Sequence, residues 1–216
     1  MASLSLRITE IFYSLQGETS TAGLPTAFIR LTGCPLRCQY CDTAYAFTGG
    51  SQMMLDDIMA KVKSFGARYV TVTGGEPLAQ PNALPLLEQL CKSGYNVSLE
   101  TSGALPVKEV DSRVVKILDL KTPASKESHR NLYENVDYLN RADQVKFVIC
   151  DRGDYDWSRL KIDELSLTDR VDEILFSPSH GQINATELAG WILADNLPVR
   201  LQLQLHKYLW QDAPGH

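Results

Sequence analysis

Short apolar runs rich in β-branched residues alternate along the chain with stretches of helical periodicity, and this alternation restricts the fold more than any other feature. Residues 27–31, 69–73, 97–100, 114–120, 144–149, 173–176 and 198–205 read as strands. Residues 55–63, 83–93, 130–139, 157–165 and 186–194 read as helices. Strands separated by helices of this length form βαβ units with right-handed crossovers and a parallel sheet. The expected fold class is α/β, a partial (β/α) barrel with parallel strands and helices outside. A flat doubly wound sheet is the second choice. One domain over 1–216 accommodates the whole pattern.

Chemistry-bearing residues gather directly after the strands. They are Gly33 and Cys34; Gly74, Gly75, Glu76 and Pro77; Thr101, Ser102 and Gly103; Lys121, Thr122 and Pro123; Ser177, Pro178, Ser179 and His180; and His206 with Lys207. In parallel α/β folds the carboxyl ends of the strands face one common crevice, where ligands bind. Turn formation accounts for the glycines. It does not account for the cysteines, Glu76, Lys121 or His206.

The net charge of −5, without a basic stripe, argues against a general nucleic-acid binder and favours a small-molecule substrate. No apolar stretch reaches the ~20 residues of a membrane span, and residues 1–7 lack a basic-then-apolar leader. A soluble cytoplasmic protein with no membrane partner is expected. Of the five cysteines, three fall within the eight residues Cys34 to Cys41, which points to metal rather than to a disulfide framework.

Cys34, Cys38 and Cys41 can wrap one soft metal centre. Structural zinc wants four ligands, and no fourth lies nearby. Cys91, on the apolar face of an expected helix, and Cys150, ending an expected buried strand, read as small core hydrophobes. A cubane cluster on three thiolates keeps one iron open, as a catalyst needs. The three- and two-residue gaps, with Tyr40 before the last cysteine, resemble the radical S-adenosylmethionine (SAM) superfamily. That resemblance implies a [4Fe–4S] cluster on Cys34, Cys38 and Cys41. Its open iron binds the amino and carboxylate groups of SAM, whose reductive cleavage yields methionine and a 5′-deoxyadenosyl radical. No side chain is then catalytic in itself, because the cofactors carry the chemistry.

Gly74 to Pro77 look like the superfamily's GGEP motif, which implies that Gly75 and Glu76 hold the SAM amino group. Glycine lets a backbone approach a ligand closely, and a carboxylate suits an ammonium. Ser102, Asp119, Leu120 and Lys121 look like further SAM contacts. The other reading of Lys121 is a solvated surface lysine. Ser177, Pro178, Ser179 and His180 could close over the adenosine, or His180 could be a loop residue without a ligand.

The segment from Ile11 to Glu18, the run from Gly23 to Cys34, the Cys41, Asp42, Thr43 triplet and the segment Gln204 to Tyr208 together resemble the 7-carboxy-7-deazaguanine synthases over nearly the whole chain. The resemblance implies a lyase of the route to queuosine and other deazapurines. Its substrate is 6-carboxy-5,6,7,8-tetrahydropterin. Hydrogen abstraction at C6, ring contraction and loss of ammonia follow, and SAM is regenerated. It also implies that Leu15, Gln16 and Gly17 lie along the pterin, that Arg30 and Thr73 contact it, and that Thr43 binds a Mg²⁺ ion beside its carboxylate. Glu18 would meet the guanidine-like edge, and Gln204, His206 and Lys207 the far side of the pocket. A flavodoxin-type reductant and a homodimer are further expectations. Arg30 also stands out by itself, since Phe28, Ile29 and Leu31 surround it and an unpaired buried guanidinium is costly. Thr43 could instead cap a turn. Residues 105–110, 125–130 and 210–216 are the parts where the family pattern is weakest. Two rivals remain: an activase installing a glycyl radical on a partner protein, and a non-enzymatic Fe–S electron carrier.

Overall fold

The structure, a computed structural model, describes residues 4–211. Its centre is a nine-stranded sheet: β1 (Ser5–Leu15), β2 (Pro25–Leu31), β3 (Ser51–Met54), β4 (Tyr69–Gly74), β5 (Asn96–Thr101), β6 (Val115–Asp119), β7 (Gln144–Ile149), β8 (Glu173–Pro178) and β9 (Arg200–Leu201). The strand order is β3-β1-β2-β4-β5-β6-β7-β8-β9. Every pairing from β2 to β9 is parallel, while β1 runs antiparallel to both β2 and β3. The helices are α1 (Leu55–Ser64), α2 (Ala83–Lys92), α3 (Arg152–Glu164), α4 (Leu167–Arg170), α5 (Ala185–Ala194) and α6 (Leu205–Trp210).

The period-two alternation of the strands separates two environments. Ile29, Leu31, Val70, Val72, Val97, Leu99, Leu118, Val145, Phe147, Ile149 and Phe176 share one core with Ile58 and Val62 of α1, Leu86, Leu87 and Leu90 of α2, Tyr155 and Ile162 of α3, and Leu188 and Ile192 of α5. Each such side chain stabilises the fold by about 1.5–3 kcal/mol when buried. The opposite parity supplies Arg30, Thr73, Glu100, Asp119, Lys146 and Ser177, which line an internal cavity together with Glu10 and Phe12 of β1. Residues from both ends of a long sheet can border one cavity only if the sheet curls around it. The expected partial barrel is therefore the observed one, and the flat sheet is excluded.

Three sequence expectations are corrected. The antiparallel strands β1 and β3 went unread. A register shift between Ile8 and Glu10 breaks the alternation of β1, so its pattern carries no steady period. Residues 130–139 form no α-helix but 3₁₀ turns at Ser128–Arg130 and Tyr133–Tyr138. Asn131 and Asn135 explain this. The Asn131 amide bonds the N–H and carbonyl of Lys121, and Asn135 bonds the carbonyls of Gly103 and Leu105 and the N–H of Val107. Side chains committed to neighbouring backbone compete with a helical ladder. Finally, the expected strand 198–205 keeps only Arg200–Leu201. Beyond it the chain turns to bond Gly17: both the Gln202 amide and the Leu205 N–H donate to its carbonyl. Gln204, His206 and Lys207 thus belong to a turn and α6. Residues 212–216 of the variable tail lie outside the described residues.

An ion pair is buried on the apolar side. Lys116 Nζ lies 2.9 Å from Asp143 Oδ2, and both are almost fully buried. The Asp143 carboxylate also accepts the N–H groups of Lys116 and Asn140. Asp143→Ala would leave an ammonium buried and alone. We expect a loss of about 3–5 kcal/mol in urea unfolding, largely recovered when Lys116→Met is added. A loss under about 1 kcal/mol would show that the pair is not needed.

Candidate active site

The parallel register sets Arg30 beside Thr73 and Leu31 beside Gly74, so the loop leaving β2 lies on the turn leaving β4. The contact is too close for any side chain. A Cβ on Gly74, whose φ is +145°, would sit 2.2 Å from the Leu31 carbonyl oxygen. One on Gly75 would sit 2.2 Å from the Gly33 carbonyl oxygen and 2.8 Å from Cys34 Cβ. Two hydrogen bonds close the contact, Gly75 N–H to Leu31 O at 3.2 Å and Glu76 N–H to Gly33 O at 2.8 Å. The paired glycines therefore admit the backbone of the cysteine loop itself.

That loop is further fixed by Gly33 N–H on the Ala46 carbonyl and by Arg37 Nη1 on the carbonyls of Cys34 and Leu36. Cys34, Cys38 and Cys41 all border the cavity and are half-buried. Burial raises the pKa of each thiol, and that of Cys38 reaches about 11; neighbouring thiols add to the rise at Cys34 and Cys38, and Asp42 to that at Cys41. A soft metal centre would take them as thiolates and displace their protons. The donor set fits a three-thiolate cluster. Beside it, Asp119 Oδ1 is buried with no hydrogen-bond partner although its residue lines the cavity, an acceptor left open for a ligand's donor. Neither Cys91 nor Cys150 lines this cavity: Cys91 packs against the apolar core and Cys150 is buried.

Most of the residues singled out from the sequence meet here. Gly75, Ser102, Asp119, Lys121, Ser177, Pro178, Ser179 and His180 line the same cavity as the three cysteines. Lys121 is 9% exposed, which excludes a surface role, and its Nζ lies 2.9 Å from Asp119 Oδ2. Burial alone would lower its pKa, but Asp119, Tyr40 and Cys38 outweigh this and raise it, so it is a cation. Two residues do not reach the cavity. Leu120 is fully buried in the apolar core, because its neighbours on either side face inward. Glu76 is also fully buried, and its carboxylate accepts from Leu78 N–H at 3.0 Å, Thr101 Oγ1 at 2.9 Å, Ser102 N–H at 2.7 Å and Ser102 Oγ at 2.5 Å. It ties the ends of β4 and β5 together and orients Ser102, and it does not point into the cavity.

The cavity is also lined by Leu15, Gln16, Gly17, Glu18, Arg30, Thr43 and Thr73. Gln16 is buried, with its amide N–H on Thr71 Oγ1 and Glu100 Oε1 and its amide oxygen accepting from Gly17 and Glu18. Thr73 Oγ1 donates to Glu100 Oε2 at 2.9 Å. Lys146 pairs with Glu18. Burial opposes the ionised form of Glu18, yet Lys146, Gln204 and His206 hold its pKa down at about 2. Glu100 moves upward, through burial first and then the charge of Glu18. Arg30 Nε pairs with Glu10 at 2.7 Å, and Tyr45 donates to the same carboxylate oxygen at 2.8 Å. The Gln204 amide bridges Glu18 and Asp42 at 3.0 Å each, and Thr43 donates to the other oxygen of Asp42. Ligand atoms of Glu18, Asp42 and His206 lie within 4.8 Å of one another. Glu10, Tyr45, Glu100 and Lys146 were not singled out from the sequence. Glu100 and Lys146 carry the signal that exposed Arg30, a charge at an inward position of an apolar strand.

The cavity encloses about 800 Å³, toward the upper end of small-molecule sites. Gly75→Ala is expected to cut the iron bound after reconstitution by at least about half, with far-ultraviolet circular dichroism unchanged, because the added methyl displaces Gly33 and Cys34. Cys38→Ala should bind no cluster, whereas Cys150→Ala should cost only about 1–3 kcal/mol of stability. Full iron loading in Gly75→Ala would dismiss the close contact as a determinant of the site.

The profile of the radical SAM superfamily matches residues 28–121. The chain is 45% identical to a 7-carboxy-7-deazaguanine synthase of Koribacter versatilis, over 95% of this chain and 97% of that one. It is 47% identical to a protein of the same name from Chlorobaculum tepidum, over 97% of each. The crystal structure of QueE from Escherichia coli superposes with a TM-score of 0.74 at 28% identity, over 93% of this chain and 94% of that chain. The cysteine loop and its glycine turn both lie inside the matched region 28–121, and the chain, similar to these relatives almost from end to end, belongs to the 7-carboxy-7-deazaguanine synthase family of the radical SAM superfamily.

Proposed function

We propose that this chain converts 6-carboxy-5,6,7,8-tetrahydropterin to 7-carboxy-7-deazaguanine, and that the two halves of its cavity divide the work between SAM and pterin. One observation carries the reading. A three-cysteine loop and a set of paired charges line a single cavity. When bound, the [4Fe–4S] cluster supplies an electron and SAM supplies the hydrogen-abstracting radical.

The side chains bind, orient and exclude water. The buried cation Lys121 suits the methionine carboxylate, and the open oxygen of Asp119 suits an N–H or O–H donor of SAM. Gly75 and Ser102 lie beside the cluster loop, while Ser177 to His180 border the place given to adenosine. In the pterin half, the Arg30 guanidinium receives the substrate carboxylate and shares it with Glu10. Ionised Glu18 and the inward carboxyl of Glu100 accept from the guanidine-like edge. Leu15, Gln16, Gly17 and Thr73 set the plane of the ring. Thr43 offers a hard oxygen to Mg²⁺, and the Asp42 carboxylate bonded to it favours a divalent cation. The segment from Gln202 to Lys207 closes over Gly17 and keeps water out.

A glycyl-radical activase would need to admit a protein loop, and this cavity is instead lined by charged groups spaced for a small polar ligand. An electron carrier would have no use for them. Family membership further supports a flavodoxin-type reductant, a homodimer and a cytoplasmic location. Among the described residues no helix is long and apolar enough to cross a membrane.

Anaerobic turnover of the carboxytetrahydropterin by reconstituted protein, with products identified by mass, tests the assignment. It should yield 7-carboxy-7-deazaguanine and ammonia with SAM recovered. Consumption of SAM with the pterin unchanged would reject it. Arg30→Lys should raise the Michaelis constant by the equivalent of a charged hydrogen bond, ~1.5–3 kcal/mol, with cluster absorbance and SAM binding unaltered. Unchanged pterin kinetics in both Arg30→Lys and Arg30→Ala would make Arg30 a structural residue.

A further inference from the structure

The chain as a whole is acidic, yet Arg37 is exposed on the cysteine loop, and Lys126, His129 and Arg130 are exposed on the segment whose Ser125 and Glu127 bond that loop. Short contacts fix these residues to the loop. Gln39 N–H donates to the Ser125 carbonyl at 3.1 Å, and Arg37 N–H donates to Glu127 Oε1 at 2.6 Å. Asn131 then anchors the far end of the segment to the backbone of Lys121. Lys126, His129 and Arg130 form no ion pair among the described residues. The Arg37 guanidinium lies over the Phe47 ring and on two carbonyls, also without a carboxylate. Lys126 is moreover held at φ +64°, a left-handed conformation that lysine disfavours. Strain of this kind persists where the surroundings impose it, commonly at functional surfaces.

The reaction requires an electron at the three cysteines. Apart from these the sequence has only Cys91 and Cys150, too few to bind a relay cluster. The electron therefore comes from outside. The inner side of the loop faces the cavity, which leaves its outer side for the donor. We propose that the rim of Arg37, Lys126, His129 and Arg130 is the docking surface for an acidic one-electron carrier protein. The inference rests on the cluster reading above. In the step it serves, the reduced carrier loses one electron to the centre held by Cys34, Cys38 and Cys41. No bond forms or breaks and no proton moves. The unpaired cations Arg37, Lys126 and Arg130 steer an acidic partner and orient it at encounter, an effect that salt screens.

The test uses a flavodoxin, an acidic carrier, with the Lys126→Glu/Arg130→Glu variant of the full chain. Calorimetric titration measures flavodoxin binding at low and raised salt. Turnover is then driven either by reduced flavodoxin or by dithionite. The dissociation constant should rise by about tenfold or more, and its salt dependence should flatten. Flavodoxin-driven turnover should fall in step, with the dithionite-driven rate at the wild-type level. A Lys126→Gln/Arg130→Gln variant should show the same pattern to a smaller degree. Wild-type binding and wild-type flavodoxin-driven rates in the charge-reversed protein would overturn the proposal. So would an equal loss in the dithionite assay, which would place these residues in the fold of the loop. If the wild type itself fails with dithionite, the reading of the reaction fails instead, and the binding titration still decides the docking surface.

Discussion

The site depends on a contact between two backbones. Gly74 and Gly75 let the chain leaving β4 touch the chain leaving β2, and two hydrogen bonds hold Leu31 and Gly33 there. This places the cysteine loop at the edge of the cavity, with its thiols facing the strand ends. Glu76 extends the arrangement by one strand, since its buried carboxylate gathers donors from Leu78, Thr101 and Ser102. A charge so deep is tolerable only with that many donors. The sequence Gly74, Gly75, Glu76 thus acts here mainly as a joint between strands, and ligands meet what the joint presents.

Charge pairing organises the rest of the cavity. Arg30 of β2 with Glu10 of β1, Lys121 with Asp119 at the end of β6, and Lys146 of β7 with Glu18 after β1 each set a cation against a carboxylate. Buried pairs of this kind add little net stability. Their consequence is geometric, since each fixes where a charged ligand group can be received. For Glu18, whose pKa falls from 4.5 to about 2 on folding, the stabilising contribution is complete above the unfolded value and is lost as pH drops from about 4.5 toward 2.

The parallel sheet was legible because its strands are short apolar runs rich in β-branched residues, set between stretches of helical periodicity. The apolar neighbours revealed Arg30, and Glu100 and Lys146 were open to that reading too. What escaped depended on tertiary contacts. The shift between Ile8 and Glu10 hid β1, the inward asparagines Asn131 and Asn135 undid an apparent helix, and Gly17 drew residues 202–205 out of the last strand. The motif placed Glu76 at the site but not the direction of its side chain. That direction follows from the donors β5 offers, which no local pattern announces.

The central claim is that three thiolates on this joint hold a cluster whose remaining iron is open to SAM. Electron paramagnetic resonance of the reconstituted, reduced protein tests it most directly, with spectra taken with and without SAM. The account predicts the signal of a reduced [4Fe–4S] cluster whose g values change when SAM is added, and the loss of that signal in Cys38→Ala. A cluster signal indifferent to SAM, or one that survives removal of Cys38, would contradict it.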